Sequence, residues 1–132
     1  KYLDMAEKIY NFIFNNPNLP EDLVPYWDFD APNIPNEPRD ASAAACTASA
    51  LYELSTYIPG KNYKETADKI MENLGSPAYR AEVGTNGNFI LMHSVGSIPH
   101  GAEIDVPLNY ADYYFLEGIM RKRDLESNKK LF

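Results

Sequence analysis

The stretch from Asp40 to Tyr57 constrains the fold more than any other part of this chain. It reads DASAAACTASALYELSTY. Alanine is the strongest helix former because it loses no side-chain entropy on ordering. Ala41, Ala43, Ala44, Ala45, Ala48 and Ala50 fill the run. Asp40 offers an N-cap carboxylate to the free N–H groups of the first turn. Pro59-Gly60 stops the helix. A helix carrying methyl groups on most sides is thin, so neighbouring helices can approach it closely. The chain must therefore build a packed helical array around this segment.

Three further segments have helical patterns. Between Lys1 and Asn15, the residues Leu3, Ala6, Ile9, Tyr10 and Ile13 fall on one stripe, and Asn15-Asn16-Pro17 ends it. Tyr63 to Leu74 carries the stripe Tyr63, Ala67, Ile70, Met71 and Leu74, with Gly75 at the C-cap. Ser76-Pro77 can start one further short turn. Asn109 to Arg123 is apolar nearly all round (Tyr110, Tyr113, Tyr114, Phe115, Leu116, Ile119, Met120) and is expected to be buried on more than one side. That suits the inner ring of a double-layered helical array larger than this chain. The tail from Glu126 to Lys130 is polar and is expected to fray. Asn88 to His93 is short, apolar and partly β-branched, the one place where a short strand or hairpin is expected. No internal repeat or low-complexity tract is present.

The connections are unequal. Residues 16–39 form a long link with six of the chain's ten prolines, together with Tyr26, Trp27 and Phe29. Aromatic residues argue against a disordered linker, and loops of this length are usually packed and functional. Residues 94–108 form a second long loop with Gly96, Pro99, Gly101 and Pro107. If the four helices alternate in direction, the two long connections share one end. Trp27, Asp28, Arg39 and Asp40 then lie beside His93, Ser94, Ser97, His100 and Asp105, at one mouth. A full helix after Ser76 would reverse that parity.

The chain has 132 residues, 45% of them hydrophobic, enough for one core. The formal net charge of -7 argues against nucleic acid, whose phosphates need a basic surface. It does not exclude an anionic sugar, because a few local cations outweigh the global balance. No apolar run is long enough to span a membrane. The single cysteine, Cys46, permits no intrachain disulfide and leaves the redox compartment unread; its alanine-rich setting predicts a buried, inert thiol. The chain begins at Lys1 inside a helical pattern, which is expected of a segment from something longer. No signal peptide is visible, and the compartment, bacterial periplasm or cytoplasm, is left open.

Two blocks carry a family resemblance. Val24-Pro25-Tyr26-Trp27-Asp28-Phe29-Asp30, followed by Pro38-Arg39-Asp40-Ala41-Ser42-Ala43-Ala44, resembles glycoside hydrolase family 88, the unsaturated glucuronyl hydrolases. So does Ala111-Asp112-Tyr113-Tyr114-Phe115-Leu116-Glu117. The resemblance covers nearly the whole chain and matches the C-terminal part of the family's length. It implies an all-α fold, part of a toroid of six helical hairpins, with residues 1–132 as the C-terminal part of one catalytic domain. It implies a hydrolase acting on lyase-generated oligosaccharides that carry a C4=C5 unsaturated uronic acid at the non-reducing end. An Asp protonates the double bond, water adds at C5, and the hemiketal rearranges with loss of the glycosidic bond. No metal or organic cofactor is implied. The implied partners are an unsaturated uronate oligosaccharide and the N-terminal part of the same enzyme. The family's proton-donating Asp belongs to that N-terminal part, so no residue here is assigned as catalytic. A family loop pattern for sulfated substrates, Ser-x-x-Ser-x-Lys, is matched at Ser94 and Ser97, but Pro99 stands in place of the Lys. The unsaturated rhamnogalacturonyl hydrolases, and a non-catalytic helical sugar-binding or scaffold domain, are the rival readings.

The candidate contacts each have a functional and a plain reading. Trp27 can stack on a pyranose ring or anchor the loop. Asp28 and Asp30 can bind hydroxyls or the backbone, and serve as an acid–base pair only at a separation of about 5–10 Å. Arg39 can clamp a carboxylate bidentately or pair with Glu37 or Asp40. Asp40 reads first as a cap. His93 and His100 can bind a carboxylate or shuttle a proton; too few partners at suitable spacing accompany them for a metal. Ser94 and Ser97 around Gly96 can donate to an anion or form an ordinary turn. Asp112, in an apolar helix, needs partners for a buried carboxylate and reads as structural.

Overall fold

The structure, a computed structural model, describes residues 1–127. Its architecture is all-α. Helix α1 spans Tyr2–Phe14, α2 Ala41–Tyr57, α3 Tyr63–Leu74 and α4 Asn109–Glu126, with a single 3-10 turn at Asn86–Asn88. Each helix lies within a few residues of the range its sequence pattern predicts. Asp40 caps α2 as expected: its carboxylate accepts from the Ser42 N–H at 3.0 Å and from the Ser42 hydroxyl at 2.6 Å. The α3 pattern is met residue for residue, and Tyr63, Ala67, Ile70, Met71 and Leu74 are all buried. Gly75 occupies the C-cap with ordinary right-handed backbone (φ -75), so the position does not use glycine's freedom to take positive φ. Of the polar tail 126–130, residues 128–130 lie outside the described residues.

α2 is the hub. It packs against α3 on one side and α4 on the other, while α1 touches it lightly. The core gathers Ala41, Ala44, Ala45, Ala48, Leu51 and Tyr52 from α2, with Ile70 and Leu74 of α3 and Ala111 and Phe115 of α4. Gly118 of α4 makes room for Met71 of α3: an added Cβ there would stand 3.0 Å from Met71 Sδ, and 4.0 Å from the Ser49 nitrogen of α2. A charged tie joins three helices near the far end. Asp68 of α3 accepts from Lys122 of α4 at 2.5 Å, from Lys64 at 2.7 Å and from the Tyr52 hydroxyl of α2 at 2.8 Å. Partial burial works to raise the Asp68 pKa, but these donors overcome it and hold it at about 2.

Two expectations are corrected. The stretch 88–93 is not a strand: its pairing is a single antiparallel bridge, Arg80 with Leu91. Asn86 and Asn88 carry positive φ, a turn conformation that asparagine tolerates and a strand excludes. Cys46 is exposed rather than buried, because it lines open hollows beside α1 and α4 instead of the packed core; partial desolvation and the Glu117 carboxylate nonetheless raise its thiol pKa. α4 buries only Ala111, Phe115 and Gly118 within this chain. Its apolar residues Tyr113, Leu116, Ile119 and Met120 stand exposed. α1 buries none of its residues, and between it and α2 lies an apolar hollow of about 460 Å³. Among the described residues, no helix is long and apolar enough to cross a membrane.

Candidate functional site

Ser76 to Tyr79 forms only a turn, closed by the Tyr79 and Arg80 N–H groups on the Ser76 carbonyl at 3.1 and 2.8 Å. The parity of the helices is therefore not reversed, and the two long connections meet at the start of α2. The Ala41 N–H donates to the His93 carbonyl at 3.0 Å, and the Val95 N–H donates to the Asp40 carboxylate at 3.4 Å. Asp40 thus caps its helix and holds the second loop with one side chain.

The first loop is braced from inside. Pro38 and Pro25 carbonyls accept from the Trp27 and Asp40 N–H groups at 3.0 and 2.8 Å, which closes a bridge between Tyr26 and Arg39. Trp27 Nε1–H donates to Glu37 at 2.8 Å, and that bond is the main reason the Glu37 carboxyl sits below its usual range. The expected Arg39 partners, Glu37 and Asp40, are both wrong. Arg39 pairs with Asp22, donates from Nε to the Val24 carbonyl at 2.8 Å, and lies 5.1 Å from the Tyr26 ring centre.

Asp22 was not singled out in the sequence, yet its carboxylate is used as heavily as that of Asp40. Besides Arg39 it accepts from the Val24 N–H at 3.1 Å and the Tyr79 hydroxyl at 2.7 Å, while its carbonyl takes Asn73 Nδ2–H at 2.7 Å. Burial first, then the bond to Asp22, pushes the Tyr79 phenol well above its ordinary pKa. The Tyr79 ring stands edge-on to His93, 6.2 Å between centres. A chain of contacts therefore runs from Arg39 through Asp22 and Tyr79 to His93.

The other predicted residues divide into groups. Trp27 and Asp28 line a hollow of about 180 Å³ with Tyr26, Phe29 and Asp40. Asp28 is exposed and accepts the Asp30 N–H at 2.8 Å, a local turn rather than a facing carboxylate pair. His93 binds Asp105 through Nδ1 at 2.6 Å. Ser97 and His100 bond to each other at 2.6 Å on an exposed tip closed by a Ser97–Ala102 bridge. Ser94 is wholly buried by its bridge to Val106, and its hydroxyl has no partner. Gly96 packs so tightly on the Glu103 side chain that a Cβ there would collide with it. Asp112 has the structural role expected, by another route: it accepts from the Ile90 and Leu91 N–H groups at 2.8 and 2.9 Å and fixes the second loop to α4. The contacts between the loops thus run through Arg39, Asp40, Asp22 and Tyr79, with Trp27 and Asp28 on the α1 side of Asp40. Among the described residues, no three His, Cys, Asp or Glu side chains gather as a metal site.

Comparison with known proteins bears on this site. No protein-family model matches the chain. Against curated proteins it is 50% identical over 125 residues to an unsaturated glucuronyl hydrolase of Formosa agariphila, covering 95% of this chain and 31% of that protein. It is 31% identical over 116 residues to an unsaturated chondroitin disaccharide hydrolase of Streptococcus agalactiae, covering 84% of this chain and 28% of that protein. Among solved structures, an unsaturated glucuronyl hydrolase specific for heparin superimposes with a TM-score of 0.92 at 48% identity, over 96% of this chain and 34% of that one. The enzyme from Bacillus sp. GL1 gives 0.80 at 26% identity, over 90% of this chain and 32% of that one. The chain spans about a third of the length of the relatives it matches. The resemblance read from the two sequence blocks thus holds over nearly all of the chain, in sequence and in fold.

Proposed function

By sequence and helical-toroid fold this chain groups with the unsaturated glucuronyl hydrolases over about a third of their length, and we propose that it works as the C-terminal part of such an enzyme. The reaction is removal of a C4=C5 unsaturated uronic acid from the non-reducing end of a lyase-generated glycosaminoglycan fragment. A proton goes to C4, and water delivers its oxygen to C5 and loses its other proton. The hemiketal so formed opens, and the sugar at C1 leaves. The proton donor is assigned to the remainder of the enzyme and to no residue here. That remainder is also the partner for the bare faces of α1 and α4.

This chain supplies one side of the substrate mouth. Trp27 offers a ring face to the sugar, with Asp28 accepting from hydroxyls. Arg39, His93, Ser97 and His100 provide cations and donors for the uronate carboxylate. Ser94, buried beneath them, shapes the loop on which Ser97 and His100 sit. The observation that carries the reading is the identity of 50% sustained over 95% of the chain. Heparin-type fragments are the favoured substrate, because the heparin-specific structure is 48% identical and the chondroitin disaccharide hydrolase 31%.

The test is turnover of unsaturated heparin and chondroitin disaccharides by the longer protein, followed as loss of the ultraviolet absorbance of the C=C bond, with the isolated chain alongside. Activity in the longer protein alone, faster on the heparin type, supports the proposal. Activity in the isolated chain would place the proton donor among its own carboxylates. Silence on both, with turnover of unsaturated rhamnogalacturonan fragments, would move the assignment to pectin. Silence on all three would leave a non-catalytic helical domain.

A further inference from the structure

The segment between α3 and α4 gathers left-handed backbone positions that the proposed contacts do not explain. Of six non-glycine residues with positive φ among those described, five (Asn86, Asn88, His93, Glu103, Asp105) lie between α3 and α4. His93 (φ 63) and Asp105 (φ 53) are among them, and asparagine, aspartate and histidine are the non-glycine residues that enter this region most readily. These two are partners: His93 Nδ1 lies 2.6 Å from Asp105 Oδ1. Both side chains are about half exposed, 43% and 55%, where an ion pair contributes little to stability. Stability therefore does not account for the pair, and left-handed non-glycine residues collect where a side chain must be aimed.

The surroundings hold the pair rigidly. The antiparallel bridge Ser94–Val106, with two 3.0 Å hydrogen bonds, fixes the residue that follows each member. The His93 carbonyl is tied to the start of α2 through the Ala41 N–H. The Tyr79 ring edge packs on the imidazole, and Tyr79 is itself held by Asp22. The imidazole is therefore fixed by its backbone, by one ring contact and by one carboxylate at one nitrogen.

We propose that Asp105 is a positioning residue for substrate binding: it takes the His93 Nδ1–H, sets the tautomer, and leaves Nε2 as the nitrogen that meets the substrate. The inference rests on the proposed function, in which His93 contacts the uronate. A carboxylate on Nδ1 fixes the orientation of the ring and which nitrogen faces outward. In its protonated form Nε2 then donates to an anionic sugar with its orientation already set.

The test uses the longer protein with ¹⁵N-labelled histidine, His93 being identified by its loss in His93→Gln. The wild type is expected to show Nδ1 protonated at neutral pH, and Asp105→Asn to shift the proton toward Nε2. On an unsaturated disaccharide, Asp105→Asn is expected to raise KM about tenfold with kcat within about twofold, and Asp105→Glu to restore most of the wild-type KM. An unchanged tautomer in Asp105→Asn, or an unchanged KM, overturns the proposal. A kcat loss equal to the KM effect that Asp105→Glu does not rescue also overturns it, because that is the signature of a loop that has collapsed. Absence of turnover in the wild type counts against the proposed function instead, and the tautomer measurement then still decides whether Asp105 sets the imidazole.

Discussion

Helices α1 and α3 carry equally plain apolar stripes, and they end in opposite surroundings. Every stripe residue of α3 is buried, chiefly against α2, with Met71 also meeting Gly118 of α4. α1 buries none, and its stripe faces a hollow walled by Ala50, Leu51, Leu54 and Tyr57 of α2. The stripes are alike because each encodes only that one helical face must leave water. What covers the face is a property of the rest of the molecule. For α3 the cover is the alanine-rich α2, thin enough to admit it. For α1, as for the outer face of α4, the proposed cover is the remaining two thirds of an enzyme of the relatives' length.

The largest effect that would sharpen this contrast is a pair of matched truncations. Ile70→Ala, at a fully buried position, is expected to destabilise by about 2–5 kcal/mol. Ile9→Ala, about half exposed, is expected to change the stability of the isolated chain by less than about 0.5 kcal/mol. Urea unfolding of both variants checks this. In the longer protein Ile9→Ala is expected to become clearly destabilising; equal small effects in both settings would remove the proposed cover. Next in size is Asp112→Ala. It leaves the Ile90 and Leu91 N–H groups without their acceptor and is expected to cost about 2 kcal/mol, with faster amide exchange confined to the second loop. Asp40→Ala removes the α2 cap and is expected to cost about 1 kcal/mol, read as a lower Tm.

The smallest effect is in the pH dependence. The pKa of Asp68 is lowered to about 2, against an ordinary value near 4. Its contribution is therefore complete above that ordinary value and is lost as pH falls from about 4 toward 2. Asp68→Asn is expected to flatten the Tm–pH curve in that window and to lower Tm by a constant amount above about pH 5.

Much of the fold was legible, because helix signals are local. The Asp40 cap and the Pro59-Gly60 stop bracket α2, and the stripe of α3 was met at every position. The directions of burial around α2 and α4 were not. Alanine on nearly all sides of α2 names no buried face, which is why Cys46 was expected inside and is exposed. An all-apolar α4 says that several faces need cover without saying that this chain supplies only one of them. At the site, the meeting of the two loops followed from connectivity alone. The partners did not: Arg39 pairs with Asp22, seventeen residues away along an irregular loop, and no periodicity relates such positions. His93 was legible as a rare polar ring in a long loop, whereas its bond to Asp105 depends on positive φ at both residues, which no local pattern announces.

The central claim is that the two long connections form one side of a mouth for an unsaturated uronate. A crystal structure of the longer protein, bearing an inactivating change outside this chain and soaked with an unsaturated heparin disaccharide, tests it most directly. The account predicts the uronate at the start of α2, with its carboxylate within hydrogen-bond reach of His93 Nε2 or the Ser97–His100 tip and its ring against Trp27. A disaccharide bound with Trp27, Arg39, His93, Ser97 and His100 all out of contact would contradict it.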